Sequence, residues 1–342
     1  MKKGTRRFAV LVSWLLIVTV LLAACGGGQP GEPAGPSDSG GTDAANWPEK
    51  PIELVVPYAP GGDTDFHART YAKYLEKELG KPVVVVNMEG ANGTVGATKV
   101  KDAKPDGYTA LWFHESMLVN NVIGTSDFSH KDFEVVAIGV YDDTYVPAVH
   151  EDAPYANLKE FIEDAKKSPG KKIYGTQIGG FTYNFGTLLE DASGAVFNKV
   201  DGGAPARNAA LLAKEMDINA GPYGSIDSGD FRALAVMSGE RSKLFPDVPT
   251  AVEQGYDVDV KRAYFMLIKG PDPAIVKKMS DAMGKISQLP EYAADIEKTY
   301  SVQPGYSPTE ESSQYLDDAL ERYMQARQAL IAFRRKPEHE FT

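Results

Sequence analysis

The chain has 342 residues, 43% hydrophobic and 24% charged, with 33 glycines, 22 prolines and one cysteine, a composition that excludes a collagenous or wholly disordered chain and a small disulfide-held scaffold. At about 100–200 residues per domain there is room for two domains or one large one, held together by packing. Thirty-six basic side chains against 47 acidic ones give a net charge of −11, which argues against nucleic acid as a partner, because phosphate neutralisation needs a clustered basic face.

The chain opens on Lys2, Lys3, Arg6 and Arg7, followed by an apolar stretch from Phe8 to Val20 and then Leu21, Leu22, Ala23, Ala24 and Cys25. Residues 1–24 have the layout of an export signal; an uncleaved membrane anchor is the competing reading, since the apolar run is about long enough to span a bilayer. Removal of these residues takes four basic side chains away and leaves 32 against 47, or −15. Leu22-Ala23-Ala24-Cys25 resembles the bacterial lipoprotein cleavage box, which implies lipidation of Cys25 as the first mature residue. Two acyl chains at one point give durable attachment where one chain is marginal. The expected location is therefore extracytoplasmic, lipid-anchored to the bacterial cell membrane. Residues 25–46 are read as the lipidated Cys25 and a flexible tether: Gly26-Gly27-Gly28, Pro30, Pro33, Pro36 and Gly40-Gly41 break any apolar periodicity, and such a coil reaches about 25 Å.

From Trp47 onward, short apolar runs alternate with amphipathic segments, as in α/β layers. Ile52–Val56 predicts the first strand. Phe66, Ala68, Tyr71, Leu75 and Leu79 recur at helical spacing, and Gly80 with Pro82 supplies the stop. Val83–Val86 predicts the next strand, Gly90, Gly93 and Gly96 lead into a helix, and Pro105-Asp106-Gly107 turns the chain into a strand over Tyr108–Phe113. A second series begins near Tyr145. It comprises a helix at Asn157–Lys167, a strand at Lys172–Gly175, a helix from about Thr182 to Ala192, and strands near Val196 and Phe231–Met237. The C-terminal stretch reads as mostly helical, with Ser307 as an N-cap, Pro308 at the first helical position and Glu310 closing a capping box.

Hydrolase and nucleotide signatures are missing. The histidines (His67, His114, His130, His150 and His339) show no HExxH spacing, no serine sits in a GxSxG turn, and the GxGxxG from Gly26 to Gly31 lies in the tether, away from any strand or helix. No cofactor and no metal site are expected. The reading is a binding protein and not an enzyme; the competing hypothesis is a catalytic site assembled from distant positions.

Polar, Gly-rich loops carry the functional signal. Pro57 to Asp65 lies between the first strand and its helix and contains Tyr58, Gly61, Gly62, Asp63, Thr64 and Asp65. Ligands bind at such strand ends in open α/β folds, and exposed N–H groups at a helix start favour an anion. The alternative is a tight turn in which Asp63 or Thr64 caps the helix. Asp65 either accepts from a ligand hydroxyl or amine, or complements the helix dipole. Glu89–Thr94 (with Asn92 and Gly93), Gly175–Asn184 (with Thr176, Gln177, Gly180, Phe181, Thr182 and Asn184) and Gly221–Ser225 (with Tyr223) have the same character. Together they suggest a cleft between domains. Glu115 and Ser116, with His114, follow a strand end and either join that cleft or form a solvated loop. Arg262 pairs either with a ligand carboxylate or with a surface acid.

The succession Pro48-x-Lys50-Pro51-Ile52, Val55-Val56-Pro57 through Gly61-Gly62-x-Thr64-Asp65, Gly90-x-x-Gly93, Pro105-Asp106-Gly107-Tyr108-Thr109, Tyr174-Gly175, Gly203-Ala204-Pro205, Arg232 to Val236 and Pro246-Asp247-Val248-Pro249-Thr250 resembles the extracytoplasmic receptors of tripartite tricarboxylate transporters, the Bug or TctC-like family. The resemblance runs from about Trp47 to about Tyr323. It implies an α/β, two-domain periplasmic-binding-protein-like fold with a ligand cleft between domains and two interdomain crossings: domain 1 from 47–144 plus 245–342, domain 2 from 145–244. It implies a monomer that closes around a small organic carboxylate held by backbone amides and water, then delivers it to transporter membrane subunits. Carried over by position, the site comprises Gly61, Gly62, Thr64, Asp65, Asn92, Gly93, Thr176, Gly180, Thr182 and Asn184.

Three departures bear on the ligand. Asn184 stands where many relatives have His, Asp63 where they often have Gly, and the segment between Asp217 and Arg232 is short, which gives Tyr223 a different space to fill. An added carboxylate at Asp63 argues against a densely charged ligand such as citrate unless a cation accompanies it, leaving a mono- or dicarboxylate with or without an amino or hydroxyl group. A sensor subunit of a signalling system would bind the same solute and use another membrane partner.

Overall fold

The computed structural model describes residues 44–325 except 227, 228, 244 and 259. The export segment, Cys25, His339 and nearly all of the tether lie outside them.

The first lobe is built from two strand–helix units. β1 (Ile52–Val56) leads into α1 (Asp63–Leu79), and β2 (Val83–Asn87) leads through a 3-10 turn (Ala91–Gly93) into α2 (Thr94–Lys101) and β3 (Thr109–His114). Helix α1 stops where expected: Gly80 takes the left-handed conformation (φ 69°) and its N–H bonds the Glu76 carbonyl. α3 (Ser116–Val122) follows, then β4 (Glu134–Asp142).

The chain then enters the second lobe through β5 (Tyr145–His150), α4 (Leu158–Lys167), β6 (Ile173–Thr176), α5 (Phe181–Ser193), β7 (Asn198–Asp201), α6 (Ala204–Leu212), β8 (Ile218–Pro222), α7 (Tyr223–Ile226) and β9 (Phe231–Ala233). It returns to the first lobe with β10 (Arg262–Ile268), α8 (Pro273–Ser287), α9 (Pro290–Tyr300) and α10 (Thr309–Gln325). Among the described residues no helix is long and apolar enough to cross a membrane.

The two sheets share one plan, with strand orders β2-β1-β3-β10-β4 and β7-β6-β8-β5-β9. In each, three parallel strands from the strand–helix units are joined by an antiparallel strand that the chain enters from the other lobe. Parallel strands are covered on both faces, and side-chain alternation in the first lobe shows it. Leu54, Val56, Met266 and Ile268 face the core under α1 and α8, whereas Val55, Phe265 and Leu267 face the core under α3 and α10. Full burial of each such side chain contributes about 1.5–3 kcal/mol.

Two expectations fail here. Residues 245–260, expected with the first domain, pack on the second lobe: Ala251, Val258 and Val260 join its core, the Ala251 N–H bonds the Val236 carbonyl at 2.8 Å and the Val260 N–H bonds the Met237 carbonyl at 2.7 Å. The apolar side chains decide this, because they complete the layer over β5 and β8. The Ser307 capping box is not formed; the Ser307 hydroxyl pairs with the Tyr141 hydroxyl at 3.0 Å, its N–H bonds the Ile138 carbonyl, and α10 begins at Thr309. Strand pairing to β4 has displaced capping.

Candidate functional site

Each lobe presents the C-terminal ends of its parallel strands to the other, so the starts of α1, α2, α5 and α6 converge. Their N-caps are Gly62, Gly93, Gly180 and Gly203, none with a side chain that can cap, so the first-turn N–H groups are left to other acceptors. Between them lies a cavity of about 280 Å³ lined from both lobes. Gly93 is required there: its φ is +92°, and a Cβ would come within 2.5 Å of the Phe113 ring. The lobes touch across this space. The Phe181 N–H donates to the Ser116 hydroxyl at 2.9 Å, and the Tyr145 hydroxyl donates to Asp63 Oδ2 at 2.6 Å.

A buried polar cluster forms the cavity wall at the two crossings. Asp63 pairs with Arg262, and its Oδ2 also accepts from the Tyr264 hydroxyl at 2.7 Å. Arg262 further contacts the Tyr145 hydroxyl and the His114 ring, and Tyr58 stacks on His114 with ring centroids 5.0 Å apart. Burial pushes the Asp63 carboxyl up, but the Arg262 guanidinium and the two tyrosine hydroxyls outweigh it and hold Asp63 well below the usual carboxylate range. Burial, reinforced by Arg262, holds His114 well below the ordinary histidine range, so it is neutral. Arg262 thus balances the Asp63 charge, and this carboxylate alone does not oppose a densely charged ligand.

Ten of the expected site residues line the cavity: Tyr58, Gly62, Asp63, Thr64, Asn92, Gly93, Ser116, Gln177, Phe181 and Thr182. Seven do not. Asp65 turns back to hold the loop, accepting from the Gly61 N–H at 3.0 Å, from Arg69 Nε at 2.9 Å and from Asn87 Nδ2 at 2.8 Å; Gly61 is thereby its partner. Thr176 is fully buried and lies 3.2 Å from the Thr182 hydroxyl, while Gly180 closes a turn onto the Gln177 carbonyl at 2.8 Å.

Glu115 and Asn184 line a separate cavity of about 450 Å³. Asn184 is two residues along α5 from Thr182, a turn of about 200° that carries it to another face. Glu115 accepts the Ala263 N–H at 2.7 Å and the Tyr315 hydroxyl at 3.1 Å. Tyr223 stacks on Phe245 at 3.9 Å, away from both cavities.

The sequence reading left out Tyr145 and Arg207, both cavity-lining. A signal for Arg207 existed. It is the fourth residue of α6, close to a helix start, where the dipole opposes a cation.

The model of the tripartite tricarboxylate transporter family receptor matches residues 67–331. A Cupriavidus necator protein, "UPF0065 protein in gbd 5'region", is 31% identical over 290 residues, covering 82% of this chain and 87% of that one. The periplasmic binding protein BugD superposes with a TM-score of 0.75 at 29% identity, over 83% of this chain and 99% of that chain. MatC from Rhodopseudomonas palustris, solved with bound malate, shares the fold with a TM-score of 0.75 at 23% identity, over 82% of this chain and all of that one. A two-lobed α/β fold, a cavity at facing strand ends and these likenesses agree, and the chain belongs to the tripartite tricarboxylate transporter receptor family.

Proposed function

We propose that this protein is an extracytoplasmic solute receptor that binds a small organic carboxylate between its two lobes and delivers it to the membrane subunits of a tripartite tricarboxylate-type transporter. The observation that carries the reading is the convergence of four helix starts without side-chain caps on one cavity between the lobes. Helix N-termini attract anions through unpaired N–H groups and the dipole, with no formal charge needed. A solute bonded to both lobes favours the closed arrangement, so affinity and closure are one free-energy change. The working site is Tyr58, Gly62, Asp63, Thr64, Asn92, Gly93, Ser116, Gln177, Phe181 and Thr182, joined by Tyr145, Arg207 and Arg262; Gly61, Asp65, Thr176 and Gly180 support it from behind.

Thermal denaturation against a panel of mono-, di- and tricarboxylates and amino acids, malate among them, tests the reading. A ligand at 100 times its Kd stabilises by about 2.7 kcal/mol. No shift with any carboxylate would overturn it. Turnover of the solute at catalytic protein concentration would favour an enzyme instead. Co-purification with transporter membrane subunits tests delivery.

Tethering through a lipid on Cys25 is part of the same proposal, supported by the apolar run and the Leu22-Ala23-Ala24-Cys25 box. Mass spectrometry of the mature N-terminal peptide checks it, since a peptide beginning at an unmodified residue other than Cys25 is incompatible with it.

A further inference from the structure

The charges around the cavity do not balance. Asp63 and Arg262 neutralise one another. Arg207, on the second-lobe wall, is 5% exposed, and among the described residues no carboxylate pairs with it. Its contacts are neutral acceptors: Nε donates to Asn219 Oδ1 at 2.8 Å, one terminal nitrogen to the Gly202 carbonyl at 2.8 Å and the other to the Ala220 carbonyl at 3.5 Å. A guanidinium has five N–H donors, so donors remain on a side chain that lines the cavity. Glu89, the other acid on the cavity lining, is exposed and screened by water.

A buried cation without a counter-charge is costly unless something anionic joins it. Backbone hydrogen bonds hold Arg207 in one orientation without reducing its charge. The N-termini of α1, where Arg262 neutralises Asp63, and of α2 line the same cavity from the first lobe. These two walls suit two separate anionic groups. We propose, resting on the receptor reading above, that Arg207 is the specificity-determining residue of the site and selects ligands carrying a second carboxylate, which it binds from the second lobe while the helix starts of the first lobe hold the other. A ligand of this kind supplies the missing negative charge and bridges the lobes from its two ends.

Isothermal titration with length-matched pairs, succinate against butyrate, glutarate against valerate and adipate against hexanoate, tests this in the wild-type protein and in R207Q. For at least one pair the wild type should bind the dicarboxylate about tenfold to hundredfold more tightly, the range expected of a charge-assisted hydrogen-bonded contact. R207Q should lose that preference while binding the monocarboxylate within about threefold of wild type.

Equal wild-type binding of the two members of every pair would overturn the Arg207 assignment and leave the receptor reading standing, as would a preference that survives in R207Q. Binding of neither member of any pair would count against the receptor reading itself. If R207Q does not fold, because Gly202 and Asn219 lose their donor, R207K decides. It keeps the charge and should retain part of the preference, and a wild-type preference left undiminished by losing the planar fork would overturn the assignment.

Discussion

Asp63 and Arg262, 199 residues apart in sequence, form a buried ion pair in the first lobe that is bonded to Tyr145 of the second. Asp63 opens α1 and Arg262 is the first residue of β10, reached directly after the chain returns from the second lobe. The register places Arg262 opposite Asp142, the last residue of β4, so the strand that leads out of the first lobe and the strand that returns to it end side by side at the ion pair.

Breaking that pair from one side should be costly. R262M leaves a buried carboxylate uncompensated and is expected to lose about 3–5 kcal/mol of stability. The double variant D63N/R262M removes both charges and should lose clearly less than the two single losses added together. Chemical denaturation of the four proteins measures the coupling; strict additivity would mean that the pair is not coupled.

Asp65 bonds three donors within its own lobe, including the Gly61 N–H of the first loop. D65A should therefore lower the melting temperature of the ligand-free protein, by about 1–3 kcal/mol in stability, and weaken ligand binding only through the displaced loop. A variant with unchanged ligand-free stability and lost affinity would restore the direct ligand role read from the sequence.

Glu115 should make stability fall as pH rises. Burial pushes its carboxyl up to about 7 despite the Ala263 N–H, Arg262 and Tyr315 nearby. Between its ordinary value of 4.5 and 7 the folded protein holds a proton that the unfolded chain has released, so each step up in pH favours unfolding until the window ends. Asp142, also raised to about 7 by burial, acts in the same direction. His67, lowered to about 4 by burial, and His114 act in the opposite one. Comparison of E115Q with wild type cancels these shared contributions. The stability of E115Q relative to wild type should increase from pH 5 to pH 8 by up to about 3 kcal/mol, and parallel melting curves across that range would refute the shift.

Ser116 joins the lobes through the Phe181 N–H. S116A should weaken the closed arrangement by about 0.5–1.5 kcal/mol, a loss of roughly two- to twelvefold in affinity for whichever carboxylate stabilises the protein most. Titration calorimetry reads this directly. Unchanged affinity would mean that this bond is kept in the ligand-free state.

The sequence by itself determined the local units. Ile52–Val56 reads as a strand because it is a short apolar run ahead of a Gly/Pro loop, Gly80 ends α1 because glycine enters the left-handed region at little cost, and the Gly-rich loops ahead of helices let the backbone and its N–H groups approach a ligand. These are short-range facts, and they located ten cavity residues. Only the tertiary structure decided which of those loops face one another and where each side chain points. Asp65 and Asn184 stand one and two residues from cavity-lining neighbours, yet the helical turn sends them to other partners. Residues 245–260 chose their lobe by the apolar layer they complete. Arg262 found Asp63, and Arg207 found no acid among the described residues, across separations that no local pattern records, because charge balance is a property of what the fold brings within a few ångströms.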